Sequence, residues 1–184
     1  MGRTRLVFSG SGGQGVVTAA ILLAEAAVLH EDLQAVQTQS YGAAARGGAA
    51  RADVIISESK INFPKVTQPN ILVCLTQEAY NLYAPIIRPG GLLITDTRYV
   101  KTERKVDAVQ RELPMYDTVM ESIGKALVFN ICMLGALAGL TQLVRTESIL
   151  AVLQARLPSA LVQINHQALD LGLALARTAK PVER

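Results

Sequence analysis

The feature that most constrains the fold lies at the start of the chain. Residues 5–9 are a short run with Leu6-Val7-Phe8 at its centre, residues 10–15 are rich in glycine, and residues 16–29 are apolar apart from Thr18 and Glu25. A run of that length bounded by turn signals reads as a buried strand, and the longer apolar stretch as a helix buried on most sides. A strand, a tight glycine turn and a helix in that order are the opening of a βαβ unit. That unit sets the first pieces of a sheet covered by helices.

The same grammar continues. Residues 33–38, 53–57, 70–76 and 92–95 read as further short strands, with residues 61–64 as a short extended piece. A helix is predicted from residue 77 to Ala84, stopping before Pro85, and Pro89-Gly90-Gly91 is a turn. Residues 97–105 are polar and read as a surface connection. Residues 120–140 read as one or two helices. An amphipathic helix over 146–157 carries Ile149, Leu150, Leu153 and Leu157 on one face, and Pro158 ends it. Residues 161–176 close the chain as a helix.

Apolar strands alternating with helices predict an α/β fold: a three-layer, Rossmann-like, mostly parallel sheet with helices on both faces. No repeat or linker interrupts it, so residues 1–184 are expected to be a single domain. Half the residues are hydrophobic and 18% are charged, which excludes a disordered chain. Trp is absent, so the core must be aliphatic.

The net charge of +3, with no dense basic run, gives no reason to expect nucleic acid. The apolar stretch 126–140 is short for a membrane span and contains Asn130, so a buried helix is expected and no membrane association. Cys74 and Cys132 sit apart in apolar runs and read as buried reduced thiols. Their spacing suits neither zinc nor an iron–sulfur cluster. With no signal peptide visible, a cytoplasmic setting is expected.

Gly10-Ser11-Gly12-Gly13-Gln14-Gly15 contains G-x-G-x-x-G between the predicted strand and helix. Glycines there permit a tight turn and close approach of a ligand, and the helix N-terminus offers free N–H groups to an anion. A turn without any ligand is the plainer alternative. A nicotinamide or flavin dinucleotide site expects an acid near the end of the second strand, to hold the ribose. Residues 35–40 read Ala-Val-Gln-Thr-Gln-Ser and carry none. No Lys-Ser or Lys-Thr pair follows the glycines, so the turn is not a P-loop.

A second segment, Gln39-Ser40-Tyr41-Gly42-Ala43-Ala44-Ala45-Arg46-Gly47-Gly48, is small-residue-rich and reads as a functional loop. G-x-G-G-Q-G followed by S-Y-G and R-G-G at this spacing resembles the gamma subunit, or gamma domain, of the 2-oxoacid:ferredoxin oxidoreductases. The likeness runs on through Val54-Ile55-Ile56-Ser57, Ile61 and Pro64, and resumes at Gly124, Asn130 and Leu134-Gly135-Ala136-Leu137. Two departures stand out. Ala43-Ala44 replaces the family's usual Pro-Glu, so the function of that carboxylate is missing here. Gly124-Lys125 replaces the usual Gly-Asn.

The resemblance implies a division of labour. Thiamine diphosphate with magnesium attacks the 2-oxoacid, iron–sulfur clusters pass electrons to ferredoxin, and coenzyme A takes the acyl group. This chain is expected to bind none of those cofactors alone. Alpha and beta subunits, with delta as a further candidate, would carry them, and the isolated chain would be inactive. Its expected share is coenzyme A binding and assembly, in a pyruvate- or 2-oxoglutarate-type enzyme. An indolepyruvate oxidoreductase small subunit and a free-standing dinucleotide-binding protein are the alternatives.

The expected coenzyme A site combines Gly10, Ser11, Gly12, Gly13, Gln14 and Gly15 with Ser40, Tyr41, Gly42, Arg46, Gly47 and Gly48. Arg46 is the first choice of guanidinium for a phosphate, and Arg51 the second. The second loop reads equally as a contact with another subunit. An isolated subunit can also self-associate as a homodimer through the apolar face it normally buries. No catalytic or metal residue is expected. His30 and His166 read as capping or surface residues, Asp96 as a surface carboxylate, and Asn130 as a partner for a neighbouring loop backbone.

Overall fold

A computed structural model describes residues 2–40, 50–103 and 106–179. Strand β1 (Thr4–Gly10) leads into helix α1 (Val16–His30), then β2 (Gln34–Ser40) and β3 (Ala50–Ser57). Next come β4 (Ile71–Cys74), α2 (Gln77–Tyr83), β5 (Gly91–Asp96) and β6 (Ala108–Leu113). The C-terminal part is helical: α3 (Met115–Ser122), α4 (Phe129–Thr141), α5 (Thr146–Arg156) and α6 (Ser159–Thr178). Short 3-10 turns, Ala84–Ile86 and Ala126–Val128, follow α2 and precede α4.

The strands form one sheet in the order β2-β3-β1-β4-β5-β6. The β1–β4, β4–β5 and β5–β6 pairs are parallel, as expected for strands joined by crossovers. The β1–β3 and β2–β3 pairs are antiparallel. Residues 41–49 are fewer than the dozen or so that a parallel crossover needs, so β3 runs antiparallel beside β2, and it lies between β2 and β1. β6 was not expected. Its sequence, Ala-Val-Gln-Arg-Glu-Leu, is polar because it is an edge strand buried mainly at its two ends. The piece at 61–64 forms no strand.

Side chains alternate across the sheet and so feed two cores. Leu6, Phe8, Val54, Ile56, Val73 and Ile94 face α1 and α3–α6. Val7, Ile55, Leu72, Cys74 and Leu93 face α2 and the loops around it. Helices therefore cover both faces, but unequally. α4 explains the imbalance: it is apolar on all sides and buried from Phe129 through Ala138, so it needs further helices to enclose it. α6 supplies the outer cover, packing so closely that a Cβ on Gly135 would overlap the Leu169 carbonyl and one on Gly172 the Cys132 carbonyl.

Asp96, at the end of β5, corrects the expectation of a surface carboxylate. It is 0% exposed. Its oxygens accept hydrogen bonds from the backbone N–H of Arg98 (2.9 Å) and of Tyr116 (2.8 Å), so it ties β5 to the first turn of α3. Burial raises its pKa above the ordinary carboxylate value, although those hydrogen bonds oppose the shift. A raised folded-state pKa gives stability that is complete below the unfolded value and lost as pH rises through the folded one. Asp96→Asn, which cannot titrate, is therefore expected to gain on the wild type in urea-unfolding free energy as pH rises above the ordinary carboxylate value. Parallel pH profiles for the two proteins would contradict this.

Candidate anion-accepting site at the glycine-rich turn

β1 ends at Gly10, and register places Gly10 opposite Ala50 and Ser40 opposite Arg51. The turn 10–15 and the two residues that flank segment 41–49, Ser40 and Ala50, thus lie at the same end of the sheet. The antiparallel β2–β3 pairing is what brings Ser40 and Ala50, the residues flanking the second motif, toward the turn. Ser9 Oγ reinforces it with a 3.0 Å hydrogen bond to the Ala50 carbonyl. Tyr41, Gly42, Arg46, Gly47 and Gly48 lie outside the described residues; Ser40 is exposed at the anchor.

The turn is held from within. Gln14 Oε1 accepts from the Ser11 N–H at 2.8 Å, and Gln14 Nε2 donates to the Leu75 carbonyl at 3.1 Å, beyond the end of β4. One carboxamide thus closes the loop on itself and ties it to the neighbouring strand. A Cβ on Gly10 would meet Gln14 Oε1 at 2.5 Å and so displace the carboxamide that closes the turn. Gly15 is required on two grounds: its φ is +72°, and a Cβ would meet the Asn130 carboxamide nitrogen at 2.6 Å. Asn130 Nδ2 donates to the Gly15 carbonyl at 3.4 Å, so the expected loop-backbone partner of this buried asparagine is Gly15.

Gly12 and Gly13 face open space. Beyond them, the N-terminus of α1 carries no side-chain cap and no acid in its first turn. The first N–H groups of a helix have no intrahelical acceptor and sit at the positive end of its dipole. The turn therefore presents backbone donors to whatever occupies the adjoining space.

That space is a cleft of about 670 Å³ between the turn, α1, the start of α4, α5 and α6. Its walls are mainly apolar, with Val17, Leu22, Leu153 and Leu157 among them. Asn130, Asn165 and Arg156 are among its polar side chains. Arg156 is half-exposed and pairs with Glu25 of α1. Sequence reading missed it: Arg156 reads as an ordinary cation at a helix C-terminus, and only the packing of α5 on α1 brings it to the cleft.

Arg51 was the second candidate guanidinium, and the structure corrects it. Alternation along β3 sends Ala50 to the cleft side and Arg51 to the opposite face. There it is bound to Asp53 (2.6 Å) and to the Val66 carbonyl (2.7 Å), and it stacks over Tyr83.

A family model, pyruvate ferredoxin/flavodoxin oxidoreductase, matches residues 5–175. The chain belongs to that family. A 2-oxoglutarate synthase subunit KorC of Methanocaldococcus jannaschii is 41% identical over 177 residues, covering 95% of each chain. The keto/oxoacid ferredoxin oxidoreductase gamma subunit of Geobacter sulfurreducens PCA superposes with a TM-score of 0.89 at 36% identity, over 98% of this chain and 100% of that one. A 2-oxoglutarate:ferredoxin oxidoreductase from Magnetococcus marinus, solved with 2-oxoglutarate, coenzyme A and succinyl-CoA bound, shares the fold. There the TM-score is 0.88 at 22% identity, over 100% of this chain and 32% of that one.

This oxidoreductase chain is a gamma-type subunit, as the two loops implied. The family's late Leu134-Gly135-Ala136-Leu137 signature acquires a packing reason, since Gly135 lets α4 and α6 touch. Gly124, at φ +72°, ends α3, with its N–H donating to the Val119 carbonyl. Cys74 and Cys132 lie in separate cores on opposite sides of the sheet. Burial pushes both thiols up, Cys132 to about 12, so neither supplies a thiolate. Among the described residues no three His, Cys, Asp or Glu side chains group as a metal site, and no helix is long and apolar enough to cross a membrane. His30 and His166 are exposed, and His166 stands 3.8 Å from Asp170 on the same helix.

Proposed function

We propose that this chain is the gamma subunit of a 2-oxoglutarate-type 2-oxoacid:ferredoxin oxidoreductase, and that its own task is to hold coenzyme A and to complete the assembly. The observation that carries the reading is the uncapped, acid-free α1 N-terminus behind a rigid glycine turn, beside both anchors of the segment containing Arg46. A diphosphate suits that turn, and a guanidinium suits a second phosphate. The 41% identity to a 2-oxoglutarate synthase subunit favours that 2-oxoacid. The coenzyme A in the Magnetococcus enzyme supports the choice of ligand.

In this reading thiamine diphosphate, magnesium and the iron–sulfur clusters sit on alpha, beta and, where present, delta subunits. Those groups would supply the decarboxylation of the 2-oxoacid and the two-electron transfer to ferredoxin, with coenzyme A as the acceptor of the acyl group. Leu127, 78% exposed at the cleft rim, is suited to burial against such a partner.

The sheet order argues against a free-standing dinucleotide enzyme. A ribose-holding acid belongs at the end of the strand beside β1. Here the antiparallel β3, which starts at this end with Ala50, separates β1 from the second strand, β2, and the parallel neighbour β4 ends at Cys74.

The test is steady-state kinetics of the complex assembled from this chain and its co-purifying subunits. Reduction of ferredoxin that depends on 2-oxoglutarate and coenzyme A is expected, with pyruvate a poorer substrate and the isolated chain inactive. Arg46→Ala is expected to raise KM for coenzyme A about tenfold, the loss of one charge-assisted contact. An unchanged KM removes Arg46 from the site.

A further inference from the structure

The two edges of the sheet differ in a way that the glycine-rich turn does not explain. β6, at one edge, carries Arg111 and Glu112 among its six residues, and charged side chains discourage further strand pairing. β2, at the other, has seven residues, Gln-Ala-Val-Gln-Thr-Gln-Ser, and none of them is buried, charged or proline. Its register with β3 runs unbroken from Gln34 to Ser40, so no bulge twists it away. Among the described residues no strand pairs with its outer side. β2 therefore presents a regular row of backbone donors and acceptors, without the usual devices against pairing.

The helix over this edge matches it. α1 packs on β3 and β2. On its outward face Ile21 and Val28 stand about two turns apart, Ile21 partly exposed and Val28 48% exposed. Glu25, the charged residue between them, is taken up by Arg156 of α5. Neither the strand nor this stretch of helix offers an unpaired charge. Two different proteins specify one another largely through opposite charges, and this surface has none to match. A two-fold contact needs only a surface that fits itself. An uncharged strand meets that condition. Paired antiparallel about Gln37, Val36 meets Thr38 and Ala35 meets Gln39 of the second copy, and no like charges are opposed. The axis of such a pair is normal to the sheet, so the two α1 helices lie on the same face. Ile21 and Val28 are then turned toward their own counterparts.

We infer that β2 is the docking edge for a second copy of this chain, through a two-fold antiparallel β2–β2 pairing that joins the two sheets into one. One strand pair falls short of the roughly 1,200 Å² that a stable interface buries, and the apolar flank of α1 supplies further area. In a multi-subunit enzyme the contact places gamma subunits in pairs. β3 stands between β2 and β1, so the turn at the end of β1 stays open in the pair, and nothing in the contact depends on what that turn binds.

The experiment is sedimentation equilibrium of the full chain, with hydrogen exchange of the β2 amides. Wild type is expected to be a dimer with those amides protected. Thr38 is exposed, so a charge there leaves the chain folded. Thr38→Lys sets a lysine about 7–8 Å from its own copy across the axis. At an effective dielectric of about 20–80 this raises the dimer dissociation constant about 3- to 40-fold. Thr38→Glu is expected to do the same, and an equal mixture of the two variants to restore the dimer, because the axis then sets opposite charges together. If either variant lowers the melting temperature, Gln37→Lys and Gln37→Glu, which meet on the axis, take their place. A wild-type chain that stays monomeric overturns the inference, and so does a dimer that Thr38→Lys leaves unchanged, since it uses another face. A mixture that stays monomeric overturns it too, because the copies then do not meet at Thr38. If the β2 amides become protected only when the other subunits are added, a strand of a different subunit covers this edge and the inference fails.

Discussion

Gly12→Asp is expected to raise KM for coenzyme A in the assembled complex about 5- to 150-fold while leaving the fold intact. The site's geometry separates the two effects. A Cβ on Gly12 would have nothing within 4 Å, and Gly12 is not among the glycines at positive φ, so aspartate fits without strain. Its carboxylate stands at the N-terminal end of α1, where a negative charge is worth a few tenths to about one kcal/mol to the helix. The melting temperature should therefore hold or rise slightly. A phosphate entering the same place meets a like charge. At about 5 Å and an effective dielectric of 20–80 this costs roughly 1–3 kcal/mol, or about 5- to 150-fold in affinity. Gly12→Ala, which adds bulk without charge, is the control and is expected to bind normally. Binding by Gly12→Asp equal to wild type would make the turn architectural.

Gly172→Val is expected to cost about 3 kcal/mol or more of folding stability, which for a chain of this size lowers the melting temperature by roughly 6–12 °C. Gly172 is buried on α6, and any Cβ there would collide with the backbone carbonyl of Cys132 on α4 and approach the Ala136 nitrogen at 2.6 Å. Backbone cannot rotate aside as a side chain can, so the two helices must part. α4 is buried over Phe129–Ala138, and parting them opens voids along that length. The same movement shifts Asn165, two turns up α6 on the cleft wall, so ligand binding should fall with stability. Thermal unfolding of the isolated chain measures the first effect. A variant as stable as wild type would show that α4 and α6 tolerate wider spacing.

These glycines show how far a string of residues can be read. Gly10, Gly12, Gly13, Gly15, Gly135 and Gly172 look alike in the sequence. Two close the turn, two leave it open, and two let helices touch. Spacing signals a turn at 10–15 because the whole motif is local. The need for Gly172 comes from a helix some forty residues earlier, and no local pattern records it.

The fold class, the buried strands β1, β3, β4 and β5 and the apolar α4 were legible from hydrophobic pattern, since burial on both faces leaves unbroken apolar runs. The family was legible from the two loops together. β6 was not, because an edge strand can be polar, and Asp96 was not, because a carboxylate capping a buried turn reads the same as one in water.

The sequence by itself determined that a glycine turn stands between a buried strand and a buried helix, and that no acid waits where a dinucleotide would need one. Only the tertiary structure decided what surrounds that turn. Alternation along β3 turned Arg51 away from the cleft, the antiparallel β2–β3 pairing brought the residues flanking the second loop toward Gly10, and the packing of α4, α5 and α6 supplied Asn130, Arg156 and Asn165. Those three are placed by contacts between elements distant along the chain, and such contacts follow from filling a common core and not from any spacing in the sequence.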